Sequence, residues 1–306
     1  MTDADGRDWT AADVPDQRGR TVVVTGGNAG IGFEAARVLA GRAATVVLAC
    51  RDEARMRDAV ARLSAGGAAV TGVRLDLGSL ASVRRAAAEL RDRYDRIDLL
   101  INNAGVMDVP YGTTEDGFER QLGVNHLGHF ALTGLLLDRL AGAPGARVVT
   151  VASLNHVDGR IDFDDLAYAH GYRKQAAYAR SKLANLLFTY ELHHRLAAAG
   201  VPTAAVAAHP GFARTELFRN LPAPVRLGYR LALPMLAQTA AMGALPVLRA
   251  ATDPAVRGGE YYGPARRTET MGPPVRVESS ERSHDRDAQR RLWLESERLT
   301  GVAYPG

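Results

Sequence analysis

Short β-branched runs alternate with longer amphipathic stretches along most of the chain. Thr21-Val-Val-Val-Thr25 has no polar residue between its ends, the pattern of a parallel strand buried on both faces. Thr45–Cys50, Val70–Leu75, Ile97–Ile101, Arg147–Val151 and Thr203–Ala208 repeat it, and Glu260-Tyr-Tyr262 suits a short seventh strand. Helical periodicity fills the intervals: Phe33–Leu39, Asp52 or Glu53 to Leu63, and a segment capped by Ser79 with Val83, Leu90 and Tyr94 on one face. A long helix is expected over Phe118–Leu140 and another from Lys174 to Ala198. Residues 216–250 read as helix broken by Pro222, Pro224, Pro234 and Pro246. Residues 1–18, polar and containing Pro15, read as a loose N-terminal arm.

Strand and helix alternate without a repeat or a proline-rich linker. That order specifies one doubly wound α/β domain over residues 19–306, an open parallel sheet of about seven strands with helices on both faces. Such sheets take ligands at the carboxyl ends of their strands, where the strand order reverses.

Composition narrows the chemistry. The 306 residues are 46% hydrophobic and 24% charged, which is ordinary for a globular protein. A single cysteine, Cys50, excludes an intrachain disulfide and a thiolate-rich zinc site. No His-Glu-x-x-His stretch occurs, and His193 and His194 are adjacent, so they do not share a helix face; no metal is expected. No apolar run approaches the roughly 18 residues of a spanning helix, and the acidic, polar start is unlike a secretory signal. A cytoplasmic protein is expected. The net charge of +4 is spread along the chain, and Arg266, Arg267, Arg276, Arg282, Arg286, Arg290 and Arg291 are interleaved with acids. Interleaving marks a solvated face and not a nucleic-acid stripe.

The first strand runs into Gly26-Gly-Asn-Ala-Gly-Ile-Gly32. Glycine at 26, 30 and 32 lets backbone approach a pyrophosphate, and the following helix offers unpaired N–H groups and its positive dipole end. The second strand ends at Cys50-Arg51-Asp52. Arg51 suits a ribose 2′-phosphate and Asp52 a free 2′-hydroxyl, although Asp52 also suits the start of the next helix. The strand-end position of Arg51 favours NADP(H) over NAD(H). Asp76 suits either an adenine amino group or a turn, and Asn102-Asn-Ala-Gly105 leaves room for adenosine. Tyr178 and Lys182, four residues apart, share a helix face. A phenol ordinarily loses its proton near pH 10, and a neighbouring ammonium favours the phenolate.

Taken in order, Thr25–Gly32, Asn102–Gly105, Asn125, Ser153, Tyr178-x-x-x-Lys182 and His209-Pro-Gly211 resemble the short-chain dehydrogenase/reductases over residues 19–303. Ala49–Asp52, Val124–Phe130, Ser181–Asn185, Leu292-Trp and Ser296–Gly301 resemble the retinol dehydrogenase-like branch. The resemblance implies a Rossmann-type fold and an NADP(H)-dependent oxidoreductase. It implies Tyr178 as general acid/base and Ser153 as hydrogen-bond donor to the reacting oxygen. Lys182 would bind the nicotinamide ribose and depress the Tyr178 pKa, and Asn125 would hold a water. It places Gly26, Asn28, Gly30, Ile31, Gly32, Arg51, Asp76, Leu77, Asn103, Ala104, Gly105, Tyr178, Lys182, Pro210, Gly211 and Thr215 on the cofactor.

The gap from Ser153 to Tyr178 is longer than in compact members, and the insert from Asp158 to Arg173 suits a pocket wall. Ala152 stands where a second serine is frequent. The apolar stretch Leu217–Val247 suits a lid over a lipophilic ketone, aldehyde or alcohol, or else ordinary packing. The alternative function is a dinucleotide-binding sensor or scaffold without turnover; an epimerase or dehydratase fits the glycine spacing less well. Helices near 115–140 and 174–198 suit the four-helix interface of a homodimer or homotetramer.

Overall fold

Period-two alternation within each buried strand decides the layering. In a strand, successive side chains leave opposite faces. Val22 and Val24, Val46 and Leu48, and Leu99 and Ile101 therefore point into one apolar layer. Val23, Val47 and Leu100 point into the other. A computed structural model of the protein describes residues 7–212 and 238–304.

Its strands are β1 (Thr21–Thr25), β2 (Thr45–Cys50), β3 (Val70–Arg74), β4 (Leu99–Asn102), β5 (Arg147–Val151), β6 (Ala204–Ala208), β7 (Tyr261–Arg266) and β8 (Met271–Arg276). They form one sheet in the order β3-β2-β1-β4-β5-β6-β7-β8. All neighbouring pairs are parallel except β7–β8. The order reverses between β1 and β4, which opens a crevice above their carboxyl ends.

Helices α1 (Gly30–Gly41) and α2 (Glu53–Ser64) cover the first face through Ala35, Leu39 and Ala59. They are joined there by the helix of residues 240–252. The second face is covered by α3 (Leu80–Arg93), α5 (Gly128–Ala141) and α6 (Lys174–Ala198), through Val83, Leu90, Phe130, Leu136, Phe188 and Leu192. Full burial of each large apolar side chain contributes about 1.5–3 kcal/mol, so the two layers need no metal or disulfide. Ser79 and Asp52 cap α3 and α2 by accepting from Ser82 N and Arg55 N.

Four expectations change. The sheet has an eighth strand, hidden in the sequence because Met271–Arg276 contains Gly272 and two prolines; an edge strand tolerates proline because its outer N–H groups need no partner. The helix expected over Phe118–Leu140 is three pieces: α4 (Arg120–Leu122), a π-helical turn (Gly123–Leu127) and α5. Of the stretch 216–250, residues up to 237 lie outside the described residues. The remainder forms α7 (Ala240–Thr252), which runs through Pro246. Finally, residues 7–18 are not a loose arm: Trp9, Val14 and Gln17 are buried, and Thr10 and Asp13 form a capping box around a short 3₁₀ turn.

The last helix, α8 (Arg286–Thr300), lies across α5 and α6. Trp293 stacks on Phe188 and meets Phe130 edge-on, and the Tyr304 hydroxyl donates to Phe130 O at 2.7 Å.

Candidate active site

The crevice is a cleft of about 690 Å³ that runs from the end of β2 to the segment after β6. Sixteen of the expected residues line it: Gly26, Asn28, Gly30, Ile31, Gly32, Arg51, Asp76, Leu77, Asn103, Ala104, Gly105, Ser153, Tyr178, Lys182, Pro210 and Gly211. Thr215 lies outside the described residues. Asn125 does not line the cleft and is fully buried behind it.

The glycine loop is shaped by close approach. Gly26 and Gly30 adopt φ of +65° and +54°, a region that side chains with a Cβ resist. A Cβ on Gly32 would stand 2.4 Å from Asn103 Nδ2 and 2.6 Å from Gly26 O. Ala29, the residue before α1, supplies no side-chain acceptor to the first turn. The orphan N–H groups of α1 therefore face the cleft with the helix dipole behind them, as a pyrophosphate requires. Thr25 joins this loop to the next: its Oγ1 accepts from Asn103 N and Ala104 N, both at 2.9 Å.

At the β2 end, Asp52 is committed as the cap of α2, accepting from Arg55 N at 3.1 Å. Arg51 lines the same corner, joined by Arg55, one helical turn on. Asp76 makes a turn, its Oδ1 accepting from Gly78 N at 2.9 Å. Cys50 is buried, and burial pushes its thiol up to about 11, so it is no nucleophile.

At the opposite end, α6 presents Tyr178 and Lys182 to the cleft, 5% and 4% exposed. Burial pushes the Tyr178 phenol up to about 12, with a hydrogen bond from Ser153 pulling the other way. Burial draws Lys182 down to about 8. Lys182 Nζ donates to Val151 O at 2.9 Å and lies 5.6 Å from the Tyr178 ring centre. The expected depression of the phenol by the ammonium does not outweigh burial in the protein alone. Ser153 lies two residues past β5 and caps a 3₁₀ turn, with its Oγ accepting from Asn155 N at 3.2 Å.

Asn125 sits in the π-helical turn, a distortion frequent at functional sites. Its Oδ1 accepts from Val106 N at 2.8 Å, and its Nδ2 donates to Val106 O and Ser181 Oγ, each at 2.9 Å. The side chain thus braces the cleft wall against α6. After β6, Gly211 has φ +62°, and a Cβ there would stand 2.4 Å from Thr270 O.

Several lining residues were missed. Arg55 follows Arg51 at helical spacing; Val106, Met107 and Asp108 directly follow the Asn102–Gly105 run. Asn155 and Gln175 stand two and three residues from Ser153 and Tyr178. Each had a positional signal. Thr270 arrives from the β7–β8 hairpin, and nothing in the sequence announces it. The insert Asp158–Arg173 is not among the lining residues. Arg180 fastens it to α6 by donating to Asp165 O and Leu166 O at 2.8 and 3.0 Å.

The family model for short chain dehydrogenases matches residues 20–225. The chain belongs to the short-chain dehydrogenases. It is retinol dehydrogenase-like: human retinol dehydrogenase 13 is 43% identical over 297 residues, covering 94% of this chain and 86% of the relative. Mouse polyprenol dehydrogenase is 42% identical over 297 residues, covering 94% and 86%. Among solved structures, an uncharacterised protein from Mycobacterium paratuberculosis superposes with TM-score 0.82 at 44% identity, covering 98% of this chain and all of that one. The Pseudomonas aeruginosa RhlG/NADP active-site complex superposes with TM-score 0.63 at 25% identity, covering 80% and 94%. The protein is therefore an oxidoreductase of the CH–OH/C=O class that uses a nicotinamide dinucleotide. Among the described residues, no helix is long and apolar enough to cross a membrane, and no cluster of metal-ligating side chains occurs.

Proposed function

We propose that the protein is an NADP(H)-dependent reductase of lipophilic ketones or aldehydes, also able to oxidise the matching alcohols, with Tyr178 as general acid/base. The observation that carries this reading is the convergence of Ser153, Tyr178 and Lys182 on the far end of a cleft whose near end is built for phosphates. The cofactor, when bound, supplies or accepts the hydride. Every other part of the chemistry falls to side chains of the chain.

Ser153 Oγ hydrogen-bonds the substrate oxygen and fixes it beside the phenol. In reduction, Tyr178 gives its proton to the oxygen as negative charge develops there; in oxidation it takes the proton from the hydroxyl. A buried phenol near 12 holds its proton until that charge appears. Lys182 then stabilises the phenolate left behind and donates to the cofactor ribose, which replaces part of the hydration it lacks. Arg51, at the β2 end, holds a 2′-phosphate. The commitment of Asp52 to capping α2 favours this over a carboxylate reading of a free 2′-hydroxyl.

A lipophilic substrate is supported by Val106, Met107, Leu154 and Phe212 on the cleft wall. Relatives named for retinol and polyprenol, both apolar alcohols, support it too. The test is NADPH consumption against a panel of lipophilic aldehydes and ketones, with Tyr178→Phe alongside. Wild-type turnover that falls by about a thousandfold or more in the variant, with NADPH binding kept, is expected. Turnover that survives Tyr178→Phe refutes the mechanism.

A further inference from the structure

Ser153 performs its part only if its backbone is held, and the residue holding it has no part in the chemistry above. His156 lies on the 3₁₀ turn Leu154–Asp158 and is 2% exposed. Its Nδ1 is 2.7 Å from Ser153 O, and Ser280 N is 3.0 Å from its Nε2. A backbone N–H only donates, so Nε2 is the acceptor. The proton therefore sits on Nδ1 and is donated to the Ser153 carbonyl. Both bonds exist together in one neutral tautomer alone.

Ser280 is itself anchored. Its carbonyl accepts from Ser283 N at 2.9 Å and Ser283 Oγ at 2.6 Å, and the Oγ of neighbouring Ser279 lies 2.7 Å from the Tyr190 hydroxyl. Tyr190 is on α6, the helix that carries Tyr178 and Lys182. A closed path thus runs from Ser153 through His156 and the segment before α8 back to the catalytic helix. It sets the distance between two groups that must meet one substrate oxygen.

Resting on the proposed role of Ser153, we infer that His156 is a positioning residue that ties the catalytic serine to the C-terminal segment and does so only while neutral. An imidazolium would turn an N–H toward the Ser280 N–H and break the path. Tyr261 packs edge-on against the ring at 5.7 Å. His209, Glu269 and His284 are the titratable groups around it, and Arg282 donates to nearby Val157 O. Burial holds the ring below the ordinary histidine value of 6.5, with the Ser153 bond and Glu269 opposing that shift and the two histidines adding to it. The neutral form therefore prevails at pH 7.

The test compares wild type, His156→Phe and His156→Asn for kcat, KM and thermal unfolding across pH. Phenylalanine keeps the ring and loses both bonds, so kcat falls about tenfold or more while KM for NADPH stays within about twofold. Asparagine keeps a donor at the Nδ1 position and does not titrate. It supplies no acceptor to Ser280 N, so its kcat lies between those of wild type and His156→Phe, and it lacks the acid limb expected of the wild type below 6.5. A folded His156→Phe with wild-type kcat and pH profile overturns the inference. Absence of turnover in the wild type itself would count against the Tyr178 chemistry, so ¹⁵N imidazole NMR of the wild type supplies a separate readout. A neutral Nδ1–H ring at pH 7 supports the inference; an Nε2–H ring or an imidazolium overturns it.

Discussion

Thr25 offers a sharp test because one hydroxyl joins three loops of the site. It ends β1 and is fully buried. Its Oγ1 accepts from Asn103 N and Ala104 N and lies 2.9 Å from His129 Nε2. His129 Nδ1 faces Asn125 O at 3.0 Å, so Nδ1 carries the ring proton. Burial draws His129 down to about 4, so the ring is neutral and Nε2 accepts. The Thr25 hydroxyl proton therefore goes to Nε2, with Ile101 O, at 3.3 Å, the weaker alternative. The chain of bonds links the glycine loop, the Asn103–Ala104 loop and the π-helical turn.

Thr25→Val keeps the shape and deletes the bonds. Asn103 N retains Ile101 O at 3.0 Å, but Ala104 N and His129 Nε2 lose their partners. Each buried orphan costs about 1–3 kcal/mol, so the variant loses about 2–6 kcal/mol. For a chain of 306 residues that lowers Tm by roughly 3–9 °C. Thr25→Ser keeps the hydroxyl and loses one methyl, at about 1 kcal/mol. Urea and thermal unfolding of the two variants decide the matter, with NADPH titration reporting whether the loops still hold the cofactor. If Thr25→Val is as stable as Thr25→Ser, the hub is not what organises these loops.

The remaining predictions concern the cofactor and pH. Arg51→Ala weakens NADPH about tenfold or more and leaves NADH within about twofold; equal losses in equilibrium titrations would sink the phosphate reading. Gly32→Ala puts a Cβ 2.4 Å from Asn103 Nδ2 and 2.6 Å from a backbone carbonyl, so NADPH affinity is lost; fluorescence titration that finds it unchanged would mean that the loop is not the cradle. His126 and His129 are buried neutral, drawn by desolvation to about 3 and about 4. Unfolding lets each take up a proton below 6.5, so stability is complete above that pH and falls as pH drops from 6.5 toward 4, by about 1.4 kcal/mol per pH unit for each ring. Urea unfolding at pH 7 and pH 5 that gives equal free energies would refute the assignment.

Much of the fold was legible because buried parallel strands leave a continuous β-branched signature. Thr21–Thr25, Thr45–Cys50 and Arg147–Val151 have the observed strand bounds. The cleft was legible for the same reason, since a glycine loop or an Asn-Ala-Gly run directly after such a strand sits at its carboxyl end. What failed has local causes. A π-turn keeps helical composition while shifting the register, so Gly123–Leu127 looked like uninterrupted helix. Proline marks helix ends in general, yet Pro246 is carried inside α7, where its neighbours Leu245 and Val247 are buried. Thr270 and His156 act through partners 59 and 124 residues away, Gly211 and Ser280, and a pairing at that separation has no periodicity to betray it.

The C-terminal helix shows the limit of periodicity most clearly. The apolar faces of α5 and α6 require a cover, and the sequence offered a second copy of the chain as that cover. The structure supplies it from within. Trp293 of α8 and Tyr304 beyond it close over Phe130 and Phe188, and Arg195 lies 4.4 Å from the Trp293 ring centre. A Cβ on Gly134 would meet Tyr304 at 2.7 Å and Val302 at 2.8 Å, so the tail sits tightly against the backbone of α5. Buried aromatic pairs add about 0.5–1.5 kcal/mol each beyond area burial, and they form here without the loss of translational freedom that association of two chains carries. The part of this face that carries Phe130 and Phe188 is thus covered by α8 and the residues that follow it. The same helix follows the short 3₁₀ turn that Ser280 precedes, and Ser280 N donates to His156, whose ring faces the Ser153 carbonyl. The segment that covers the helices thus also braces the site.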